Sequence, residues 1–177
     1  MIGIALIIVA TVLLFIFLLR GEKNVSTKPN NNSNNLLLSC HKNNADYTFF
    51  DTNNTTSKKA RIDIIFDNDT AETFSLKYDM QFPSKNLALL SDANNRFNIG
   101  KYFAEDGLTF NALGVSFSNY DKNLLLTLFA GKNEINSVSK KYFYMKGLAE
   151  NSTAEQYKEH FINQGFECAL SNNNNKE

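Results

Sequence analysis

Residues 61–82 read RIDIIFDNDTAETFSLKYDMQF, and the alternation within them decides the fold. Ile62, Ile64 and Phe66 recur at every second position, and after Asp67, Asn68 and Asp69 so do Phe74, Leu76, Tyr78, Met80 and Phe82. Successive side chains of a strand point to opposite faces, so this period turns one apolar row inward and leaves Thr73, Ser75, Lys77, Asp79 and Gln81 in water. Asp67, Asn68 and Asp69 are short polar residues suited to a tight reversal. The stretch therefore predicts an antiparallel hairpin with one wet face. Pro83 ends it, because proline lacks the amide proton that a ladder requires.

Downstream, Ser84 is placed to cap a helix carrying Leu87, Leu89 and Leu90, and a second helical piece runs to Phe103 before Asp106 and Gly107 turn the chain. A second hairpin follows. Val115 and Phe117 alternate with Ser116 and Ser118, residues 119–123 turn, and the apolar run 124–129 reads as a central strand. Near the end, Ser152 with Glu155, or Thr153 with Gln156, has the spacing of a capping box. Ala154, Tyr157, Phe161 and Ile162 then share a helical face, Gly165 supplies a left-handed stop, and residues 166–170 form a last short strand. Upstream, residues 36–40 and 47–50 are short apolar runs of strand length joined by a polar turn. The sum is an α+β domain: a mostly antiparallel β-sheet with helices packed on one face.

The chain is 177 residues long, with 18 basic and 18 acidic side chains and a hydrophobic content of 43%, enough for one packed core. Balanced charge supplies no field for nucleic acid, so no nucleic-acid partner is expected. Asparagine runs at residues 30–32, 34–35, 94–95 and 172–175 read as the codon bias of a low-G+C genome. The triplets at Asn24, Asn31, Asn53, Asn54, Asn68 and Asn151 arise at the frequency such a composition makes inevitable.

Residues 2–19 carry no charge, and as a helix they would span about 27 Å, close to the thickness of a bilayer core. The expected organisation is a transmembrane anchor at residues 1–20, an asparagine-rich flexible tether at 21–35, a globular domain at 36–171 and a disordered tail at 172–177. Leu18, Leu19 and Arg20 offer no small-residue cleavage site, which favours a retained helix over a signal peptide. Leu37, Leu38, Ser39 and Cys40 look like a lipobox but stand well beyond the apolar segment. Arg20, Lys23 and Lys28 follow the helix, and the positive-inside rule alone would put the domain in the cytoplasm. The two cysteines suit an oxidising exterior. The exterior is the expectation: a single-pass protein of the cell membrane with an extracytoplasmic domain.

Cys40 and Cys168 stand at the two ends of the domain, each in a predicted strand, and are expected to form a disulfide. A metal site with His41 and His160, or a thiol nucleophile with a histidine base, is the chemical alternative. Zinc ligands usually come in close pairs, which are absent, and adjacent Cys40 and His41 would point to opposite faces of a strand. No metal or cofactor is expected. Residues 140–146, KKYFYMK, interleave bases and rings, so Lys140, Lys141, Tyr142 and Tyr144 form a candidate interaction surface. As an ordinary strand the same run would turn Phe143 and Met145 inward, Tyr142 and Tyr144 outward. Asp63, Asp79, Glu105 and Asp106 are scattered singly, and the phosphate-binding, dinucleotide-binding, nucleophile-elbow and zinc-protease motifs are all missing.

The ending Gly165, Phe166, Glu167 and Cys168, preceded by Tyr157, Lys158, Phe161 and Ile162, resembles that of small anchored or lipidated envelope proteins of low-G+C bacteria, in particular the lipoproteins called YehR-like. The chain departs from them in having no lipobox beside its apolar segment. The resemblance implies an envelope location and a fold, and no activity. The functional expectation is thus a non-enzymatic domain that binds another envelope protein or a small ligand, with the membrane itself engaged by the anchor. An extracytoplasmic hydrolase and a structural subunit of a membrane assembly are the competing classes.

Overall fold

The computed structural model describes residues 35–47, 50–105, 107, 109, 113–139, 144–149 and 151–173. The predicted anchor and all of the tether before Asn35 lie outside these residues, and no described helix is long and apolar enough to cross a membrane.

The predicted hairpin is present as β2 (Ser57–Asp67) and β3 (Thr70–Gln81), joined by Asn68 and Asp69 with φ of 48° and 64°. Two successive left-handed residues make the tight turn whose twist matches that of the flanking strands. Around it, β1 (Asn35–Asn43), β4 (Ser116–Tyr120), β5 (Asn123–Gly131) and β6 (Glu167–Asn172) complete a six-stranded sheet of order β4-β5-β3-β2-β1-β6. Every neighbouring pair is antiparallel. The second hairpin turns more tightly than expected, on Asp121 and Lys122, with Asn119 and Tyr120 still in the strand.

Register aligns the apolar side chains in rows across the strands. Leu38 faces Ile64, which faces Phe74, which faces Ala130, and the next row runs Cys40, Ile62, Leu76 and Leu128. All eight are at most 1% exposed. Each large member contributes about 1.5–3 kcal/mol by leaving water. A one-residue slip would turn every one of them outward, so burial itself fixes the register.

Three helices cover this inner face: α1 (Lys85–Glu105), α2 (Lys132–Ser139) and α3 (Ala154–Asn163). Helix α1 is continuous where two pieces were expected, and Ser84 Oγ accepts from the Leu87 amide at its start. In α3 the capping box forms with Thr153 and Gln156, not Ser152 and Glu155. Gly165, at φ 82°, donates to Ile162 and Phe166 donates to Phe161, which closes α3 with the paired bonds of a Schellman ending. Phe161 and Phe166 stack edge to face across that ending, 5.8 Å apart.

Three expectations are corrected. Tyr47 and Phe50 are not in a strand; they lie in a loop where Phe50 donates to the Tyr47 carbonyl and their rings pack 5.0 Å apart. Ile162 is 45% exposed and not part of the buried face of α3. The last strand runs to Asn172, and Asn173 donates to Asn35, so pairing continues past the expected domain end.

Candidate interaction surface

Cys40 and Cys168 are direct partners in the β1–β6 register and are joined as a disulfide. Both sulfurs are consumed in that bond, so neither is a thiolate available to a metal or substrate. Of the base-and-ring run, Lys140, Lys141 and Tyr142 lie outside the described residues. Tyr144 does not face outward: it is 6% exposed, adopts φ 68° in a turn, and donates its hydroxyl to the Asp46 carbonyl at 3.0 Å. Its own carbonyl accepts from Gln164 Nε2 at 2.7 Å and lies 2.8 Å from His160 Nε2. One distant acceptor for its hydroxyl and a side-chain donor to its carbonyl thus hold this residue inward, next to Met145, which is fully buried.

Tyr78 and Tyr144 share one environment. Tyr78 donates to the Ala45 carbonyl, and the rings of Tyr47, Phe50, Tyr78 and Tyr144 form a chain with centroids 4.6–5.0 Å apart. Burial is the main force raising the pKa of Tyr78 and Tyr144 far above the phenol value, with neighbouring negative charge adding to it. Both stay protonated and act as structural donors.

The outer face of the sheet carries a cross-strand row of Glu167, His41, Arg61, Lys77, Thr127 and Ser116. Ser39, His41 and Asp63 share that face and have the residue types of a hydrolytic relay. Their bonding is different: Ser39 donates to Asp63, while His41 pairs with Glu167 at 3.1 Å. Asp63 also holds Arg61 through bonds of 2.9 and 3.2 Å, which raise the arginine pKa by hydrogen bonding first and charge second. Ser39 thus donates to a carboxylate already held by Arg61 and not to an imidazole, so the three residues do not form the serine–histidine–aspartate arrangement. His160 packs against Gln164 and the Tyr144 carbonyl, and no group of three or more metal-ligating side chains occurs among the described residues.

Helix α1 is the most unusual surface. Its buried face consists of Ala88, Ser91, Asn95, Ile99 and Phe103, and Asn95 is 0% exposed. Asn95 accepts from the Asp51 amide at 2.7 Å and donates to the Asp51 carbonyl and to Ser91 Oγ; Ser91 also donates to the Asp51 carbonyl. The polar residues turned inward are thereby satisfied by one loop residue. The apolar residues turned outward include Leu89, Leu90 and Phe97, which are 48%, 58% and 71% exposed. At 3.6 residues per turn, Leu89, Leu90, Ala93 and Phe97 fall within an arc of about 100° opposite the buried face.

Along its flank, α1 is fixed to the edge strand β4. Arg96 donates to the Phe117 carbonyl at 3.3 Å, lies over the Phe117 ring at 4.5 Å from its centroid, and is ion-paired with Asp92 at 2.7 Å. Asn119 reaches Asp92 at 3.5 Å. These contacts set the rotation of α1 and keep its Leu–Phe arc in solvent. No match was found to protein-family models, to curated proteins or to solved structures.

Proposed function

We propose that this chain is a membrane-anchored, extracytoplasmic protein of the bacterial cell envelope whose domain binds another envelope protein through the outer face of α1. One observation carries the binding reading: α1 buries Asn95 and Ser91 while exposing Leu89, Leu90 and Phe97. Exposed apolar side chains singly are ordinary, but a contiguous arc on a helix that turns two polar residues inward supports a partner surface. Burying the remaining area of these three side chains would contribute about 3–5 kcal/mol, enough to anchor a contact. Segment 2–19 supports the membrane attachment, and the polar stretch that follows it, about fifteen residues, could extend roughly 50 Å, so a partner held in the same membrane is within reach. The cross-link between Cys40 and Cys168 supports the exterior location, as does the likeness of the chain's ending to YehR-like lipoproteins.

The test compares the native chain with a Leu90→Ser/Phe97→Ser variant in its own membranes, by chemical cross-linking and recovery of the cross-linked species. The variant should lose the species at unchanged melting temperature, since neither side chain is packed in the core. Equal recovery from both chains contradicts α1 as the contact. Protease added to intact cells should remove the domain, and protection of it contradicts the exterior location.

A further inference from the structure

Three segments, none of them part of α1, enclose a cavity of about 400 Å³: the β2–β3 turn, the start of α2, and the approach to α3. The volume is within the range of roughly 300–1,000 Å³ typical of small-molecule sites. Its rim holds Asn68, Asp69, Thr70, Lys132 and Asn151, all exposed. Its inner wall holds Ile135, Ser152 and Tyr157, which are 2%, 8% and 2% exposed.

The two hydroxyls on that wall are the informative groups. Ser152 and Tyr157 are each more than nine-tenths buried, yet among the described residues neither hydroxyl has a hydrogen-bond partner. Among the described residues no side-chain oxygen cut off from solvent lacks a partner, so both hydroxyls stay accessible, and both residues line the cavity. Their bonding capacity is therefore directed to whatever occupies the cavity, water or ligand, and not to the protein. The rest of Tyr157 is well used: its ring meets Phe66 edge to face at 5.3 Å and packs with Phe161. Burial raises its pKa, so the phenol remains a donor at neutral pH.

The charges narrow the ligand class. Lys132 is already engaged by Glu72 at 2.5 Å, and Asp69 faces the same opening, so neither sign of charge dominates. An anion would meet Asp69; a cation would meet Lys132 and the positive end of α3. What remains is a set of hydroxyl and amide groups that both donate and accept, beside an apolar patch of Ile135 and Ala71. We infer that this cavity binds a small uncharged, hydroxyl-rich ligand of the saccharide class, one to two rings in size, with Ser152 and Tyr157 bonding its hydroxyls at the inner wall.

The experiment uses the full chain in a detergent free of sugar groups, with saturation-transfer NMR and titration of glucose, N-acetylglucosamine and maltose. Glycine and inorganic phosphate serve as the zwitterionic and anionic comparisons. Saturable binding of at least one saccharide at millimolar concentration or below is expected, weakened fivefold or more by Tyr157→Phe and by Ser152→Ala. Tyr157→Phe removes only an unpartnered hydroxyl and should leave the melting temperature unchanged; Asn151→Ala, at the exposed rim, provides a second weakening variant independent of the core. Absence of saturable saccharide binding, binding indifferent to these variants, or preference for glycine or phosphate would each overturn the assignment.

Discussion

Replacing both cysteines, Cys40→Ala with Cys168→Ala, removes a bridge between residues 128 apart in sequence. In the chain-entropy account, opening so long a loop frees the unfolded state by about 5 kcal/mol, while measured losses for native disulfides are typically 2–4 kcal/mol. Cys40 is 1% exposed, so its loss also leaves a small void in the core, adding about 1 kcal/mol. A total of about 3–5 kcal/mol is expected. In a domain of this size each kcal/mol moves the midpoint by about 3–5 °C, which predicts a fall of roughly 10–20 °C. The assay is thermal and urea denaturation of oxidised wild type against the double variant, followed by far-ultraviolet circular dichroism. The β1–β6 register holds the two strands without the bridge, so the variant should still fold. A loss below about 1 kcal/mol would refute the reasoning, because it would mean that the bridge does not constrain the unfolded chain.

Three further outcomes follow from the packing. Asn95→Ala should cost about 2–4 kcal/mol, since it strands the half-buried Asp51 amide and removes three bonds; a melting temperature within a degree or so of wild type contradicts the network. Gly165→Val should cost about 1–2 kcal/mol by denaturant titration. At φ 82° the added Cβ meets nothing closer than Lys42 Nζ at 3.6 Å, so backbone conformation alone is responsible, and an unchanged midpoint would contradict the left-handed ending. Tyr78, Tyr144 and Tyr157 have folded-state pKa values above the unfolded value of about 10, so their contribution is fully present below that pH and declines as pH rises beyond it. Tyrosinate absorbance from these rings should appear together with unfolding in alkali; their ionisation in the folded protein would contradict their burial.

The parts of the fold legible from sequence are those written in short-range pattern. Strict alternation gave β2 and β3, Thr153 with Gln156 marked the start of α3, and Gly165 marked its end. What could not be read depends on distant partners. In α1, Leu87, Ala88, Leu89 and Leu90 are consecutive, so apolar residues fall all round the helix and no periodicity selects its buried side. That choice rests on Asn95 meeting Asp51, 44 residues away, and on Arg96 meeting Phe117. Tyr144 looked like an outward strand residue because nothing local reveals that Asp46, 98 residues away, accepts its hydroxyl. Helix α2 is short and polar and gave no signal. The cavity at Ser152 and Tyr157 draws on three separate segments, and two hydroxyls five positions apart on either side of a helix start are indistinguishable in sequence from ordinary surface.

The central claim, that the outward arc of α1 is where a partner docks, is tested most directly by placing a photoreactive benzoylphenylalanine at position 97 and irradiating native membranes. A second copy of the experiment places the same group at position 77, on the outer face of the sheet. The account predicts one discrete cross-linked protein from position 97, absent when Leu90→Ser is added, and little or none from position 77. Cross-linking from position 77 alone, or from neither position, would contradict it.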